Sequence, residues 1–345
     1  MISVFVPSHI TGFFSIFDNE DPLLKGSLGA GVLLDKGVIT EIDNNNENNN
    51  KEANSKDLSI LINGKKDEYN EVIILKTIEL MEKKLNNNEI KINFENVIIK
   101  QTIQVPIGCG FGTSASSAIG TAICINEYFD LGLSIEECGQ YAHLAEVELG
   151  TGLGDVIGEL SKGIVLRTKP GAPGFGQSKS IVPHEKEGFG VFESLKSDFY
   201  VITKSLGEIS TASIIQDPKH KKIITQVGLE IGEEFNRKED GIVIGSKFKN
   251  KFNVAVDNGF NEEETIKKFM NASLKFAKKT HLINDDLLKI VHKLHGRVLG
   301  SSMAMLGNTI FAIANENQKL KLEAEYYNEF DFYKLETEGI RIKKD

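Results

Sequence analysis

The segment Pro106-Ile107-Gly108-Cys109-Gly110-Phe111-Gly112-Thr113-Ser114-Ala115-Ser116-Ser117-Ala118 constrains this chain more than any other. It follows an apolar run, Val97–Val105, that reads as a strand. It opens a run over Ser114–Phe129 whose residues Ala115, Ala118, Ile119, Ala122 and Phe129 recur at helical spacing. Glycines at a strand-to-helix turn let the backbone come close to a ligand and aim N–H groups at it. The helix N-terminus adds positive dipole, and the hydroxyls of Thr113 and Ser114 can hold a phosphate oxygen or Mg²⁺. Gly108, Gly110, Gly112, Thr113 and Ser114 are therefore candidate polyphosphate-binding residues. The same residues also admit a tight turn packed with small side chains and holding no ligand. Two familiar phosphate motifs do not match. The P-loop ends in Gly-Lys-Ser/Thr, and no lysine is present here. The dinucleotide fingerprint sets its third glycine three positions after the second, whereas these three alternate evenly.

A polyphosphate would be bound against the sign of the whole chain, whose formal net charge is -9. That balance disfavours nucleic acid and anionic membranes as partners. It leaves room for a nucleotide whose charge is met locally by Mg²⁺, backbone N–H groups and a helix dipole. The three cysteines, Cys109, Cys124 and Cys138, form no CxxC pair and read as reduced thiols rather than a zinc cage. The first residues lack the basic region of a signal peptide, and no window approaches the ~20 apolar residues of a membrane span. The expectation is a soluble, cytoplasmic protein.

Along the chain, Ile2–Val6 reads as a strand stopped by Pro7, and Val32–Leu34 with Val38–Ile42 as a hairpin around Asp35-Lys36-Gly37. The asparagine-rich run 43–50 reads as a loop with nothing to bury. Strands are expected at Leu58–Ile62, Lys91–Phe94, Gly163–Thr168, Phe199–Thr203 and Asn308–Ala314. Helices are expected over Val72–Leu85, with Val72, Leu75, Ile78 and Leu85 as its apolar positions, and over Glu263–Lys279 and Asp286–Leu294. Another runs over Ile135–Leu149, opened by a Ser134/Glu137 capping box. Its core face is Ile135, Cys138, Ala142, Ala145 and Leu149. Glu146 borders that face, and Glu148 points to solvent. A carboxylate at a core edge needs a partner, for which Mg²⁺ is suited. The turn 170–174 is the expected junction between two halves.

Four segments in order, Pro7–Gly12, Pro106–Ala115, Gly152-Leu153-Gly154-Asp155 and Ser301–Gly307, resemble the motifs of the GHMP kinases (galactokinase, homoserine kinase, mevalonate kinase and relatives). Val6–Phe14, Gly26–Gly31, Gly152–Asp155 and Met305–Thr309 more narrowly resemble the archaeal members that phosphorylate pantoate to 4-phosphopantoate on the route to coenzyme A. Two departures stand out. Ser8-His9 replaces the usual Gly-Arg/Lys of the first motif, and the third motif has lost most of its glycines.

The resemblance implies an α+β fold of two halves with ATP between them. Residues 1–170 would form a domain like ribosomal protein S5 domain 2, and residues 171–345 a ferredoxin-like one. It implies an ATP- and Mg²⁺-dependent transfer to a small-molecule alcohol. Asp155 would orient or deprotonate the acceptor, and Ser114 and Glu146 would hold the metal. Arg167, His143 and Ser27 would hold the substrate carboxylate, with His9 on the phosphate side. A homodimer stays open. A homoserine- or mevalonate-type kinase, or a non-catalytic ligand-binding relative, is the alternative.

Overall fold

The structure, a computed structural model, describes residues 1–44, 58–87, 92–183, 185–186, 191–192, 195, 198–208, 217–236 and 261–344. Its spine is a long antiparallel ribbon. Strand β1 (Ile2–Phe17) pairs with β2 (Gly26–Asn44) from Ile2↔Ile42 to Phe17↔Gly26. Pro7 does not end β1, as its missing N–H suggests; the register shifts between Pro7 and His9 instead. Past that shift His9 pairs with Leu33, and its N–H donates to the Phe111 carbonyl at 3.1 Å. The expected hairpin around Asp35-Lys36-Gly37 is likewise absent, because those residues lie inside β2 with Gly37 opposite Pro7. The chain reverses over 18–25, where the Asn19 and Asp21 side chains accept from the Asp21 and Leu23 N–H groups.

Around this ribbon stand β3 (Ser59–Ile62), β4 (Val97–Ile103), β5 (Ile164–Lys169) and β6 (Gln177–Val182). β2 pairs with β4 through its far end and with β5 through Gly29–Val32, so one strand serves two neighbours. Residues 92–94 are not strand, and Lys91 lies outside the described residues, as do 45–50 of the asparagine-rich run. Helix α1 (Glu71–Asn87) buries Ile73, Ile74, Ile78 and Met81, while Val72 and Leu75 are exposed. The apolar stripe is therefore rotated from the expected one. Helix α2 (Thr113–Tyr128) lies on the sheet, flanked by α3 (Ile135–Leu149), whose Ser134/Glu137 capping box is formed. Ile135 is exposed; Cys138, Ala142 and Ala145 are buried as expected. A short helix, α4 (Asp155–Glu159), follows.

The second half has a short ribbon of β7 (Glu185–Lys186) and β8 (Val191–Phe192). Then come β9 (Phe199–Ser205), helices α5 (Pro218–Asn236), α6 (Glu262–Lys279) and α7 (Asp285–Leu294), β10 (Gly300–Met303), β11 (Thr309–Asn315), α8 (Glu316–Glu325), β12 (Asp331–Lys334) and β13 (Arg341–Lys344). β9, β10, β11 and β12 form an antiparallel sheet in the order β10-β11-β9-β12. With helices between β9 and β10 and between β11 and β12, this is the split βαβ ferredoxin-like arrangement. The two halves interlock. β6 extends the first sheet beyond a 170/171 boundary, and β13 returns to pair with β1. Phe13 and Phe14 of β1 pack against Phe235, Phe269 and Phe276 of α5 and α6. No helix among the described residues is long and apolar enough to cross a membrane.

Small residues let α2 sit close on β2. Gln101 of β4 donates to Thr40, to the Ser117 carbonyl and to Thr121, a buried network that pins the helix. A Cβ at Gly120 would overlap the Thr40 hydroxyl. Gly→Ala inside a helix ordinarily stabilises by about 1 kcal/mol. Here overpacking wins, and Gly120→Ala is expected to destabilise by roughly 1–3 kcal/mol, read from urea unfolding.

Candidate active site

Helix α2 begins without a side-chain cap. Its N-cap is Gly112 at φ 67°, so the N–H groups of its first turn take no partner from a capping side chain. Gly108 and Gly110 share the left-handed conformation, at φ 71° and 85°. The loop thereby wraps the mouth of the helix, and a cavity opens there. Its lining includes Thr11, Phe14, Ser27, Gly108, Gly110, Gly112, Thr113, Ser114, Gly152, Asp155, Arg167, Met305 and Leu306. Each glycine and hydroxyl picked out of the loop from sequence is on that wall.

Two carboxylates converge beside it. Helix α3 ends at Gly150 (φ 70°), and the next residue turns its Thr151 hydroxyl onto Glu146 Oε1 at 2.6 Å. Glu146 is fully buried, and its Oε2 makes no hydrogen bond of ordinary geometry. A Cβ at Gly152 would overlap that Oε2 and would stand 3.4 Å from Asp155 Oδ2, so only glycine lets both groups approach. Burial pushes the Glu146 carboxyl up to about 7 and the charge of Asp155 adds to this, while Thr151 and the nearby Ser114 hydroxyl partly offset it. Glu148 points away and pairs with Lys76 at 3.4 Å.

Asp155 opens α4. Its Oδ1 accepts from His9 Nδ1 at 2.8 Å and from Thr11 Oγ1 at 3.2 Å. Burial raises its carboxyl, but the His9 hydrogen bond and the nearby positive charge of Arg167 outweigh this and hold it below the ordinary value. Arg167, on β5, is wholly buried beneath Gly29 and Gly154. Its Nη1 reaches only the Thr11 hydroxyl, at 3.4 Å, and its Nε has no partner. Burial lowers its pKa to about 10, against the pull of Asp155, which leaves it charged at neutral pH. The Ser27 hydroxyl sits beside this guanidinium, on the face that Gly154 leaves open.

His143 does not reach the cavity. It is buried, and its Nε2 pairs with the Pro22 carbonyl at 3.1 Å, where it braces the 18–25 turn that leads to Ser27. His9 lies with its ring under Asp155 and its backbone against Phe111 and Gly112 of the loop. Sequence reasoning missed Thr11, Thr151 and Glu159. Thr11 is two residues from His9 on a strand, and Glu159 is one helical turn from Asp155; both spacings are readable. Glu159 is fully buried, neither oxygen is hydrogen-bonded, and a Cβ at Gly112 would overlap Oε1. Burial, with the charge of Asp155, raises its carboxyl well above the usual range, which the nearby Ser116 hydroxyl partly offsets, and so favours the protonated form.

Residues 72–163 match the family model described as the GHMP kinases N terminal domain. Over 313 residues the chain is 33% identical to the pantoate kinase of Methanocaldococcus jannaschii, covering 91% of this chain and 93% of that one. It is 32% identical to the pantoate kinase of Thermococcus kodakarensis, covering 99% and 98%. A solved structure described as a phosphotransferase related to the CoA biosynthesis pathway superposes with a TM-score of 0.73 at 29% identity, over 99% and 98% of the two chains. A mevalonate kinase at 17% identity and a TM-score of 0.60 shares the fold. The chain belongs to the GHMP kinases and, within them, to the family of the archaeal pantoate kinases.

Proposed function

We propose that the protein transfers the γ-phosphoryl group of ATP to the primary hydroxyl of (R)-pantoate, giving 4-phosphopantoate for coenzyme A synthesis. One observation carries the reading: a buried, charged guanidinium with free donors, Arg167, stands beside Asp155 in the cavity that the phosphate loop closes. A buried cation with empty donors calls for an anion, and a planar fork suits a carboxylate. Pantoate brings a carboxylate and an alcohol on one short skeleton. Its carboxylate would lie on Arg167 and Ser27, and its hydroxyl would face Asp155. The three free, buried thiols suit a reducing cytoplasm.

In this reading the loop N–H groups and the first turn of α2 bind the triphosphate. Glu146 Oε2, unpartnered next to the Ser114 hydroxyl, fits Mg²⁺, which favours few protein ligands shared with phosphate oxygens. When bound, the metal neutralises phosphate charge. Asp155, kept ionised, orients the alcohol and takes its proton as the new O–P bond forms.

The test is an acceptor panel of pantoate, mevalonate, homoserine and shikimate with ATP and Mg²⁺; turnover of another alcohol but not pantoate sinks the substrate assignment. Arg167→Met is expected to lower kcat/KM for pantoate by roughly 10²-fold or more, and Arg167→Lys by about tenfold, since lysine keeps charge without the fork. Asp155→Asn should lower kcat by about 10²–10⁴ in the same assay, and unchanged turnover would favour a base-free or non-catalytic role. Glu146 gives a stability signature. Its raised carboxyl keeps a proton in the folded state that the unfolded chain gives up, so its stabilising contribution is full at acid pH and is lost as pH rises from the ordinary carboxylate value to about 7. Glu146→Gln should therefore be the more stable protein by roughly 2–3 kcal/mol at pH 8, with little difference near pH 4.5, in denaturant titrations without metal. Its Mg²⁺-dependent turnover should fall at both.

A further inference from the structure

His9 stands where the family's first motif ordinarily carries Gly-Arg/Lys, and the structure gives it a specific contact. The ring is wholly buried, with Nδ1 2.8 Å from Asp155 Oδ1. Asp155 holds its charge, and an ionised carboxylate only accepts, so the hydrogen in this contact sits on Nδ1. The other nitrogen is closed off. Nε2 is buried with no hydrogen-bond partner, a Cβ at Gly31 would overlap it, and one at Gly158 would stand 3.1 Å away. A second proton on the ring would bury an N–H with nothing to accept it. The charged or titratable groups around the ring are Asp155 and Glu159 of α4 and Arg167 of β5, and the positive charge of Arg167 also opposes an imidazolium. Burial alone already drives the ring toward the neutral form.

We infer that His9 is a positioning residue: as the neutral Nδ1–H tautomer it locks the Oδ1 edge of Asp155, turns Oδ2 to the acceptor hydroxyl, and is a dead end for protons. Thr11 holds the same Oδ1 at 3.2 Å, while Oδ2 lies on the Gly152 side, which lines the cavity. A proton leaving the alcohol as its oxygen bonds to phosphorus, and as the bond to ADP breaks, therefore stays on Asp155. It cannot pass through the ring, because the only vacant nitrogen, Nε2, does not touch Asp155. It goes to solvent from Asp155 when product leaves. This inference rests on Asp155 serving the acceptor hydroxyl.

The amide of asparagine can place an N–H near Nδ1, and that of glutamine near Nε2. His9→Asn is therefore expected to keep kcat within about threefold. His9→Gln should lose about tenfold to a hundredfold, the rate equivalent of one charge-assisted hydrogen bond, with KM for ATP and pantoate nearly unchanged. Equal loss in both variants, or a loss confined to KM, overturns the inference. Because replacing a buried ring can impair folding, the unsubstituted protein supplies a second measurement. Two-bond ¹⁵N–¹H spectra of imidazole-labelled protein report the tautomer directly, with His143→Asn telling the two buried rings apart. A neutral ring protonated at Nδ1 is expected; a proton on Nε2, alone or with Nδ1, overturns the inference. Full turnover by Asp155→Asn would instead remove the reading of Asp155 itself, whereas an Nε2-protonated His9 in an enzyme that needs Asp155 removes only the role given to His9.

Discussion

Two residues of β1, His9 and Thr11, hold the site together. The His9 N–H is fixed to the Phe111 carbonyl of the phosphate loop, and the Thr11 carbonyl accepts from Met305 of the opposite wall. The side chains of both residues meet on Asp155 Oδ1. One extended segment therefore sets the loop, the far wall and the acidic group relative to one another. Just before it the pairing is irregular, with residues 34–36 of β2 standing against Ser8 alone, and His9 rejoins the ladder opposite Leu33. Beyond the next register shift, Phe13 and Phe14 anchor the same strand in the aromatic core of the second half. The cavity is thus fastened at its floor rather than at its rim.

Electrostatically the three acids of the site are not held alike. Glu146, Asp155 and Glu159 lie close together, and three ionised carboxylates would repel a polyphosphate. Burial and mutual repulsion raise Glu146 and Glu159, while His9 and Arg167 keep Asp155 ionised. Asp155 is thus an anion beside the buried cation Arg167 at the cavity wall, while Glu146, at about 7, is divided between its two forms near neutral pH. In the proposed reading a bound metal would favour the ionised form of Glu146. The raised carboxyl of Glu159, behind Gly112, favours the protonated form, which opposes phosphate less at the start of α2.

Much of this was legible in the sequence where a local pattern had one physical solution. The alternating glycines, the start of α2 and the Ser134/Glu137 box of α3 follow from local patterns alone, and their positions agree with the structure to within a residue or two. Errors arose where tertiary contacts overrode local chemistry. Asp35-Lys36-Gly37 has turn composition, yet β2 runs on through it, with β1 paired on either side at Leu33 and Gly37, and the real reversal lies at 18–25. His143, which the resemblance puts on the substrate, instead has its Nε2 on the Pro22 carbonyl, a contact across 121 residues that no spacing discloses. The pairing of His9 with Asp155 spans 146 residues and was equally hidden.

The glycine-poor third motif finds its explanation in the same contacts. In the segment Ser301–Gly307 the Met305 N–H is spent on Thr11, and the apolar residues Met305 and Leu306 line the cavity. A wall of that kind has no need of glycine at most of its positions, and even the left-handed Leu306, at φ 63°, is accommodated. Gly307 is the exception. Its Cα lies against Gly110, and a Cβ there would overlap the Cys109 carbonyl. The glycine that survives is the one whose side chain would push the phosphate loop off the helix it opens. The motif has therefore kept the backbone approach on which the loop depends, while its other positions serve as apolar lining.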